Sequence, residues 1–410
     1  MPEPVVGIAR CDARASDEEV QERLFAAASH LGDLDRLFAG KRKVFVKSNL
    51  GIADVRYHLG RQVALTDRAV VRAAIALIRE HFSGELLIGD ATTDGPCARV
   101  YQMVGLDTAL APFDVRQIEP NTPPYAEVEV PGTPLMFSRY QFSAELLSCD
   151  AFVSLAKMKS HLSAGATLTL KNLFGLPPTP IYGRPRRYFH APVRLPRVLA
   201  DEGQIFRPVL NVVDGLVGQD GREWHGDPVE MDVLLVGDNC VATDATAMRL
   251  MGMDPAADYG QFPFTWDANP LKLAASVGVG PLAESEIDVR GDSRDGIGKQ
   301  FHVARPLTPE TDAVRRGTAE QAEIFVERRG DLLDTAAGRI VALANGEVLM
   351  TIDSVNELPP RAELAERLRG TPTAGIFVKR VEPAETDPER LDVYAEVLAQ
   401  PPLFAQQVGG

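Results

Sequence analysis

Residues 43–89 decide the fold: the run Lys43-Val-Phe-Val-Lys47 precedes a helical pattern over Asp67–Phe82 and a second apolar run, Glu85-Leu-Leu-Ile-Gly89. The helical pattern has one apolar face, formed by Val70, Val71, Ala74, Ile75 and Ile78. Two short apolar strands separated by such a helix are typical of a βαβ unit in a parallel sheet. The sequence therefore predicts an α/β protein with a layered, mostly parallel sheet and flanking helices.

Three further strands are expected, at Ala151–Leu155, Val209–Val213 and Val233–Val236. In open α/β sheets, ligands bind beyond the carboxyl ends of the strands. Polar residues follow each of the five predicted strands: Lys47-Ser48-Asn49, Asp90 to Gly95, Lys157 to His161, Asp214-Gly215 and Gly237-Asp238-Asn239. These five segments are the candidate site segments.

Residues 151–200 contain no aspartate or glutamate, although the chain has 57 acidic and 43 basic residues and a net charge of −14. Eight bases lie in this block: Lys157, Lys159, Lys171, Arg184, Arg186, Arg187, Arg194 and Arg197. A cationic block in an acidic protein favours a cleft that receives a small anion. The alternative is that these bases face solvent on a long loop. The acidic chain lacks the broad basic face that nucleic-acid backbones require, so nucleic acid is not an expected partner.

Length and composition are those of a globular protein, with 410 residues, 45% hydrophobic and 24% charged, enough for two or three domains. No signal sequence or apolar run of the ~18–20 residues needed to span a bilayer is present. This predicts a cytoplasmic protein without a membrane partner. The four cysteines, Cys11, Cys97, Cys149 and Cys240, are dispersed, so no cysteine-ligated iron–sulfur cluster is expected.

Three carboxylates, Asp90, Asp214 and Asp238, each follow a predicted strand and adjoin a glycine. If they converge, they would bind a divalent metal ion through oxygen, and His161 or His190 nearby would shift the preference from magnesium towards iron, manganese or zinc. The alternative is that each aspartate caps its own loop by accepting backbone N–H groups.

Lys157, Lys159 and His161 alternate along the chain. On an extended strand all three side chains would point to one face. Mutual repulsion would then lower their pKa values unless an anion or the aspartates neutralise them, and such groups suit proton transfer or oxyanion binding. A solvated lysine pair is the alternative.

The motif order resembles a known family. The runs Ser154-Leu-Ala-Lys157-Met-Lys159-Ser-His161 and Thr167-Leu-Thr-Leu-Lys171-Asn172-Leu-Phe-Gly175 are followed by His190, Val213-Asp214-Gly215 and Gly237-Asp238 to Ala245. This order closely resembles the DUF362 family over about residues 40–290. Many members of that family look like proteins with an attached ferredoxin-type iron–sulfur segment, whose clustered cysteines this chain lacks. The resemblance implies the fold of this region and no assigned activity.

The sequence of the tail, residues 301–410, predicts a second structural unit. Residues 301–337 are expected to form a helical connector, Gly338–Met350 a β-hairpin with a type I′ turn at Asn345-Gly346, Pro360–Leu368 a helix and Ala374–Val381 a strand. A small ββαβ domain of the α+β class would then occupy residues 338–410, as an appendage that can be removed without unfolding residues 1–300. It resembles the DUF5678-type domain, whose function is not established. The α/β domain would occupy residues 1–300, with a division into two lobes near 150–200 left open.

The first functional hypothesis is a metal-dependent enzyme that acts on a small carboxylate or phosphate at the strand ends. Lys159, His161 and Lys171 would be catalytic, and Asp90, Asp214 and Asp238 would hold the metal. Substrate would contact Lys47, Asn49, Lys157, Asn172, Arg187 and His190. The alternative is a non-catalytic or redox-accessory protein that binds an anionic cofactor in the cleft and a protein partner through the C-terminal domain. No P-loop, dinucleotide-binding turn or nucleophile elbow is present.

Overall fold

A computed structural model describes residues 3–360, 363, 364, 366 and 375–404 of the chain. The strands are β1 Val5–Arg10, β2 Lys43–Ser48, β3 Tyr57–His58, β4 Arg61–Gln62, β5 Glu85–Gly89, β6 Arg116–Gln117, β7 Tyr125–Glu129, β8 Arg139–Ser143, β9 Ala151–His161, β10 Gly165–Thr167, β11 Leu210–Asp220, β12 Asp227–Gly237, β13 Asp288–Gly291, β14 Ile340–Ala344, β15 Glu347–Ile352 and β16 Phe377–Arg380.

The α-helices are α1 Asp17–Ser29, α2 Asp35–Phe38, α3 Arg68–His81, α4 Cys97–Met103, α5 Leu106–Leu110, α6 Ala144–Leu147, α7 Thr169–Asn172, α8 Thr179–Tyr182, α9 Arg194–Phe206, α10 Cys240–Leu250, α11 Pro270–Ser276, α12 Pro309–Glu327, α13 Arg329–Ala336 and α14 Asp392–Ala399. Short 3₁₀ turns occur at Leu173–Gly175, Glu284–Glu286 and Val355–Glu357. Across the described part of the chain, no helix is both long and apolar enough to cross a membrane.

The central sheet has nine strands in the order β13-β1-β12-β11-β9-β2-β5-β6, with β10 paired to β9. Neighbouring strands from β11 to β6 run parallel, as do β13 and β1. β12 runs antiparallel to both of its neighbours, β1 and β11, and β10 runs antiparallel to β9. The prediction of an α/β fold with a mostly parallel sheet is confirmed.

The sheet separates two apolar layers because successive side chains of a strand point to opposite faces. On β2, Val44 and Val46 pack with α1 and α3 on one face, while Phe45 packs on the other face with residues of α9 and α10. Helix α3 begins after Asp67, whose side chain accepts the backbone N–H of Ala69, an ordinary N-cap contact. The βαβ unit predicted over residues 43–89 is therefore formed as expected.

The tail forms a three-stranded antiparallel sheet in the order β15-β14-β16. Its hairpin turns at Asn345 and Gly346, whose φ angles of 55° and 77° are the positive values that a type I′ turn requires. The expected helix over Pro360–Leu368 falls mostly outside the described residues, and residue 374 of the expected strand lies outside them.

The tail packs firmly against the α/β body. Arg194 at the start of α9 is fully buried and its Nε lies 2.6 Å from Glu389 Oε1, also fully buried. Arg194 also donates to the Val378 carbonyl of β16, and Arg390 N–H donates to the Met136 carbonyl. Phe377 and Tyr394 belong to the same apolar cluster as residues of the body. The separate domain at 338–410 stays a prediction, but these contacts argue against a removable appendage.

Candidate functional site

A cleft of about 590 Å³ lies at the carboxyl ends of β2, β5 and β9, within the size range of small-molecule sites. Residues from several strands, helices and loops line this cleft. The polar and aromatic lining residues that matter below are Lys47, Asn49, Asp90, Lys159, His161, Thr167, Lys171, Asn172, Phe174, Arg184, Arg186, Arg187, His190, Glu223, Trp224 and Arg305. The predicted site residues gathered here are Lys47, Asn49, Asp90, Lys159, His161, Lys171, Asn172, Arg187 and His190.

A hydrogen-bonded group centred on Lys47 forms the floor beyond β2 and β5. Lys47 Nζ lies 2.7 Å from Asp90 Oδ2 and 3.1 Å from Asn172 Oδ1. Asn49 Nδ2 donates to the same Asn172 oxygen at 3.1 Å. Gly175 packs directly on this pair, since a Cβ there would lie 2.5 Å from Lys47 Nζ and 2.7 Å from Asp90 Oδ1. Gly175, the last residue of the run Lys171-Asn172-Leu-Phe-Gly175, is therefore required for this close approach. Lys47 already has its counter-charge in Asp90.

Lys159, near the end of β9, is buried in a different way. Its Nζ donates to the Ala64 carbonyl at 2.9 Å and lies 4.1 Å from the centre of the Trp224 ring. Within the described residues, no carboxylate lies at ion-pair distance from it. Burial lowers the pKa of Lys159 to about 7, although Glu223 opposes this effect. Lys159 can therefore gain or lose a proton near neutral pH.

Lys171, on the one-turn helix α7, is half-buried over the Phe174 ring, with Nζ 4.2 Å from the ring centre. It too has no carboxylate at ion-pair distance among the residues described. Burial lowers the pKa of Lys171 to about 8, against the opposing charge of Glu223. Helix α7 is anchored by Asp244 on α10, which accepts the backbone N–H groups of Thr169 and Leu170 at 2.8 Å each.

His161 is a neutral hydrogen-bond donor at neutral pH. Its Nδ1 accepts the backbone N–H groups of Ser163 and Ala164 at 3.1 and 3.2 Å, which places the ring proton on Nε2. Nε2 lies 3.9 Å from Glu223 Oε1. Burial lowers the pKa of His161 to about 3. This arrangement suits donation of a hydrogen bond from Nε2 and disfavours a role as general base.

Glu223 is the second carboxylate of the cleft. Its Oε2 accepts the Leu162 N–H at 3.0 Å. Burial would raise the pKa of Glu223, but His161, the Leu162 N–H and Lys171 outweigh it and lower the pKa to about 2. Glu223 therefore stays charged at neutral pH and faces His161 from the turn between β11 and β12.

A loop that carries Arg184, Arg186 and Arg187 forms another wall of the cleft. Arg186, whose φ is 61°, donates to the backbone carbonyls of Pro177, Gly175 and Ala91. Arg187 donates to the carbonyls of Leu358 and Pro359 in the tail. His190 Nδ1 lies 3.2 Å from the Arg186 carbonyl, and its ring lies 4.7 Å from that of Phe174. Because Arg186 bonds backbone carbonyls, its positive charge is not cancelled by these contacts.

Three predicted site residues lie outside the cleft. Lys157 Nζ pairs with Asp214 Oδ2 at 3.0 Å, and both side chains are fully buried. Asp238 follows β12 and pairs with Arg36 at 2.7 Å while accepting the Val5 N–H. Because β12 runs antiparallel to β11, its carboxyl end lies at the opposite edge of the sheet.

Asp90, Asp214 and Asp238 therefore do not converge, and each has a basic partner of its own. Within the described residues, no group of three His, Cys, Asp or Glu is placed to hold a metal ion. The expected metal dependence stays a prediction, without these three residues as one ligand set.

Sequence reasoning missed Glu223, Trp224 and Arg305. Glu223 and Trp224 stand in Gly221-Arg-Glu-Trp-His-Gly226, between two predicted strands, a position at which a polar loop could have been inspected. Arg305 stacks on Trp266 with 4.1 Å between its Cζ and the ring centre. It lies in the segment assigned to the connector, and no local pattern marks it.

Comparison with known proteins identifies one family over the middle of the chain. Residues 44–249 match the family model of DUF362, a domain of unknown function. The thylakoid-associated protein sll1697 of Synechocystis is 27% identical over 195 residues, which cover 46% of this chain and 58% of that protein. The chain thus spans less than two thirds of that relative. A crystal structure of a Thermotoga maritima protein aligns with a TM-score of 0.31 and 14% identity, over 53% of this chain and 54% of that one.

Proposed function

The chain belongs to the DUF362 family, and from that premise we propose that it is an enzyme whose strand-end cleft binds a small carboxylate or phosphate. Among the described residues that line the cleft, seven are lysines or arginines and two are acids, Asp90 and Glu223. Asp90 is already paired with Lys47. The excess positive charge is the field expected of an anion site.

One observation carries the proposal: Lys159 and Lys171 are desolvated without a carboxylate partner in the described residues. Glu202, on α9, exerts a Coulombic effect on Lys171, but burial raises the pKa of Glu202 to about 8, so its protonated form predominates at pH 7. Buried charges are normally paired. The missing counter-charge is then supplied by a ligand.

The chemistry follows from the different states of three side chains. Lys171 and the arginines would neutralise the ligand's carboxylate or phosphate. His161 would donate its Nε2–H to a ligand oxygen. Lys159, with a pKa of about 7, would exchange a proton with the ligand at neutral pH. Metal dependence stays a separate prediction, to be checked by the metal content of the purified protein.

The alternative, a non-catalytic protein that binds an anionic cofactor and a protein partner, uses the same cleft. The relative's description as thylakoid-associated concerns location and favours neither reading. Turnover of a bound anion, in place of simple retention, distinguishes an enzyme from a carrier.

Isothermal titration with succinate and with inorganic phosphate tests the proposal. Both should bind at about 0.02 M salt and bind more weakly at about 0.5 M salt, because partly exposed charges are screened. The matched control is Lys299→Met, which removes an exposed lysine outside the cleft and should leave the affinity unchanged. The proposal is contradicted if neither anion binds at low salt, or if the affinity does not change with salt.

A further inference from the structure

The proposed anion site contains one lysine that is equipped for more than charge neutralisation. Three lysines of the sheet are fully or almost fully buried: Lys47, Lys157 and Lys159. Lys47 and Lys157 each bond an aspartate, at 2.7 and 3.0 Å. Lys159 bonds a backbone carbonyl, lies over an indole ring and, in the part of the chain that the structure describes, pairs with no carboxylate. The strand β9 therefore holds a lysine paired with an aspartate and, two residues on, a lysine without such a partner among these residues.

From this geometry we propose that Lys159 is a nucleophile that forms a Schiff base with the carbonyl group of a small anionic aldehyde or ketone, such as a 2-oxo acid. The inference rests on the proposed function, because the carboxylate of the substrate would occupy the cationic cleft. It adds the substrate class and the covalent step.

The surroundings of Lys159 favour the neutral amine. An amine in a desolvated pocket beside other cations loses its proton more easily and becomes nucleophilic. Lys157 and Lys171 are such neighbours, and their charges act with burial to lower the pKa of Lys159 to about 7. Trp224 covers one side of the amine. Ordinary lysines keep their proton at this pH.

The step balances without an additional oxidant or reductant. The Lys159 Nζ lone pair forms a bond to the carbonyl carbon while the π electrons of the carbonyl move to its oxygen. Proton transfer from nitrogen to that oxygen gives a carbinolamine. The oxygen then leaves as water with a second nitrogen proton, and a carbon–nitrogen double bond remains. One amine and one carbonyl give one imine and one water.

Lys171 is the internal comparison. It is also without a carboxylate partner in the described residues, but it is half-buried on a single helical turn next to the arginine loop. That position suits binding of the substrate carboxylate. The covalent bond should therefore form at Lys159 and not at Lys171.

Borohydride trapping of the full chain tests this. The protein is incubated with pyruvate or 2-oxoglutarate at pH 7.5, reduced, and mapped by peptide mass spectrometry. The expected result is an adduct on Lys159, at least about tenfold more abundant than on Lys41 and Lys299, which are exposed to solvent and lack the desolvated surroundings that make an amine nucleophilic. Acetone, which has no carboxylate, should label Lys159 at least about tenfold less.

Lys159→Arg keeps the positive charge but removes the nucleophile, and it should abolish the adduct. Because the adduct is mapped on the chain without substitutions, the test stays valid even if this variant fails to fold. An adduct on Lys171, or labelling of Lys159 no greater than that of Lys41 and Lys299, would overturn the inference. Succinate titration in parallel separates the two claims: salt-dependent binding without an adduct refutes the covalent step alone, whereas no anion binding refutes the proposed function as well.

Discussion

Two regions of the molecule hold desolvated cations, and they differ in whether each cation has a carboxylate partner. At the seam between the α/β body and the tail, Arg194 pairs with Glu389 at 2.6 Å and Arg315 with Asp267 at 3.0 Å. On the tail side of this seam, next to Glu389, Lys379 pairs with Asp387 at 2.8 Å. In the cleft, Lys159 and Lys171 have aromatic rings as neighbours and, among the described residues, no paired carboxylate.

The difference separates structure from function. When a buried cation is paired with a carboxylate of the protein, removal of either partner strongly destabilises the fold. A buried cation without one already carries a desolvation cost in the free protein, and a ligand can relieve it. The seam is thus expected to hold the fold together, and the cleft to bind an anion. The predictions below test this contrast.

The largest effect is expected from removing the tail. A chain of residues 1–300 deprives Arg194 of Glu389 and uncovers the apolar residues that pack against Phe377 and Tyr394. It should fail to give a cooperative thermal transition by circular dichroism. A soluble fragment that unfolds cooperatively near the melting temperature of the full chain would show that the tail is the appendage that the sequence predicted.

The next effect concerns single residues of the seam. Arg194→Met removes both guanidinium contacts of the buried Glu389, at 2.6 and 3.0 Å, and leaves it with Lys379 at 3.6 Å. This change should lower the free energy of unfolding by about 3 kcal/mol in urea titrations. The control is Arg339→Met, which breaks a pair of similar length, 2.7 Å to Asp353, between side chains that are 46% and 74% exposed. That change should cost no more than about 1 kcal/mol. Similar losses in both variants would remove the basis of the comparison.

Cleft lysines should show the reverse pattern. Lys159→Met or Lys171→Met should weaken succinate binding at least about tenfold, because one charge-assisted contact is lost, and should leave the free energy of unfolding unchanged or higher. Lys157→Met is the matched control on the same strand: it leaves Asp214 unpaired and should destabilise the fold. If Lys159→Met destabilises the protein as much as Lys157→Met does, Lys159 is structural.

The smallest effect is a pH dependence. Lys159 and Lys171 lose their protons as the pH rises through about 7 and 8, so anion affinity should fall over that interval. The contribution of these two lysines to stability should move in the other direction, because their folded-state pKa values lie below the unfolded ones and the unfolded chain binds more protons at these sites. Burial raises the pKa of Glu202 to about 8 and that of Asp244 to about 7, so these carboxyls contribute with the opposite sign up to those pH values. The part due to Lys159 is therefore the difference between the parent chain and Lys159→Met, and that difference in the free energy of unfolding should rise with pH. Parallel titrations and urea melts at pH 6, 7, 8 and 9 would show it; affinity that rises with pH would contradict it.

Much of the α/β body could be predicted from sequence because its signals are local. The strand–helix–strand pattern over residues 43–89 depends on side-chain period, and the structure follows it. The acid-free block also drew attention to Lys159, Lys171 and Arg187, which the structure places in one cleft.

Pairing and strand direction could not be predicted, because both depend on contacts distant in sequence. Asp238 follows a strand as Asp90 does, but β12 is antiparallel, so the two lie at opposite edges. Lys157 and Lys159 look equivalent in sequence, yet only Lys157 meets an aspartate. The sequence placed Lys159 and His161 beyond the end of a strand predicted at Ala151–Leu155, whereas β9 continues to His161 and buries both side chains.

The most direct test of the central claim is to titrate the lysine side chains by NMR, with ¹³C label at Cε, with and without saturating phosphate. The account predicts that Lys159 and Lys171 of the free protein titrate near pH 7 and 8, and that bound phosphate raises both pKa values because an adjacent anion favours the ammonium. Ordinary pKa values in the free protein, or lowered values that saturating phosphate leaves unchanged, would contradict it.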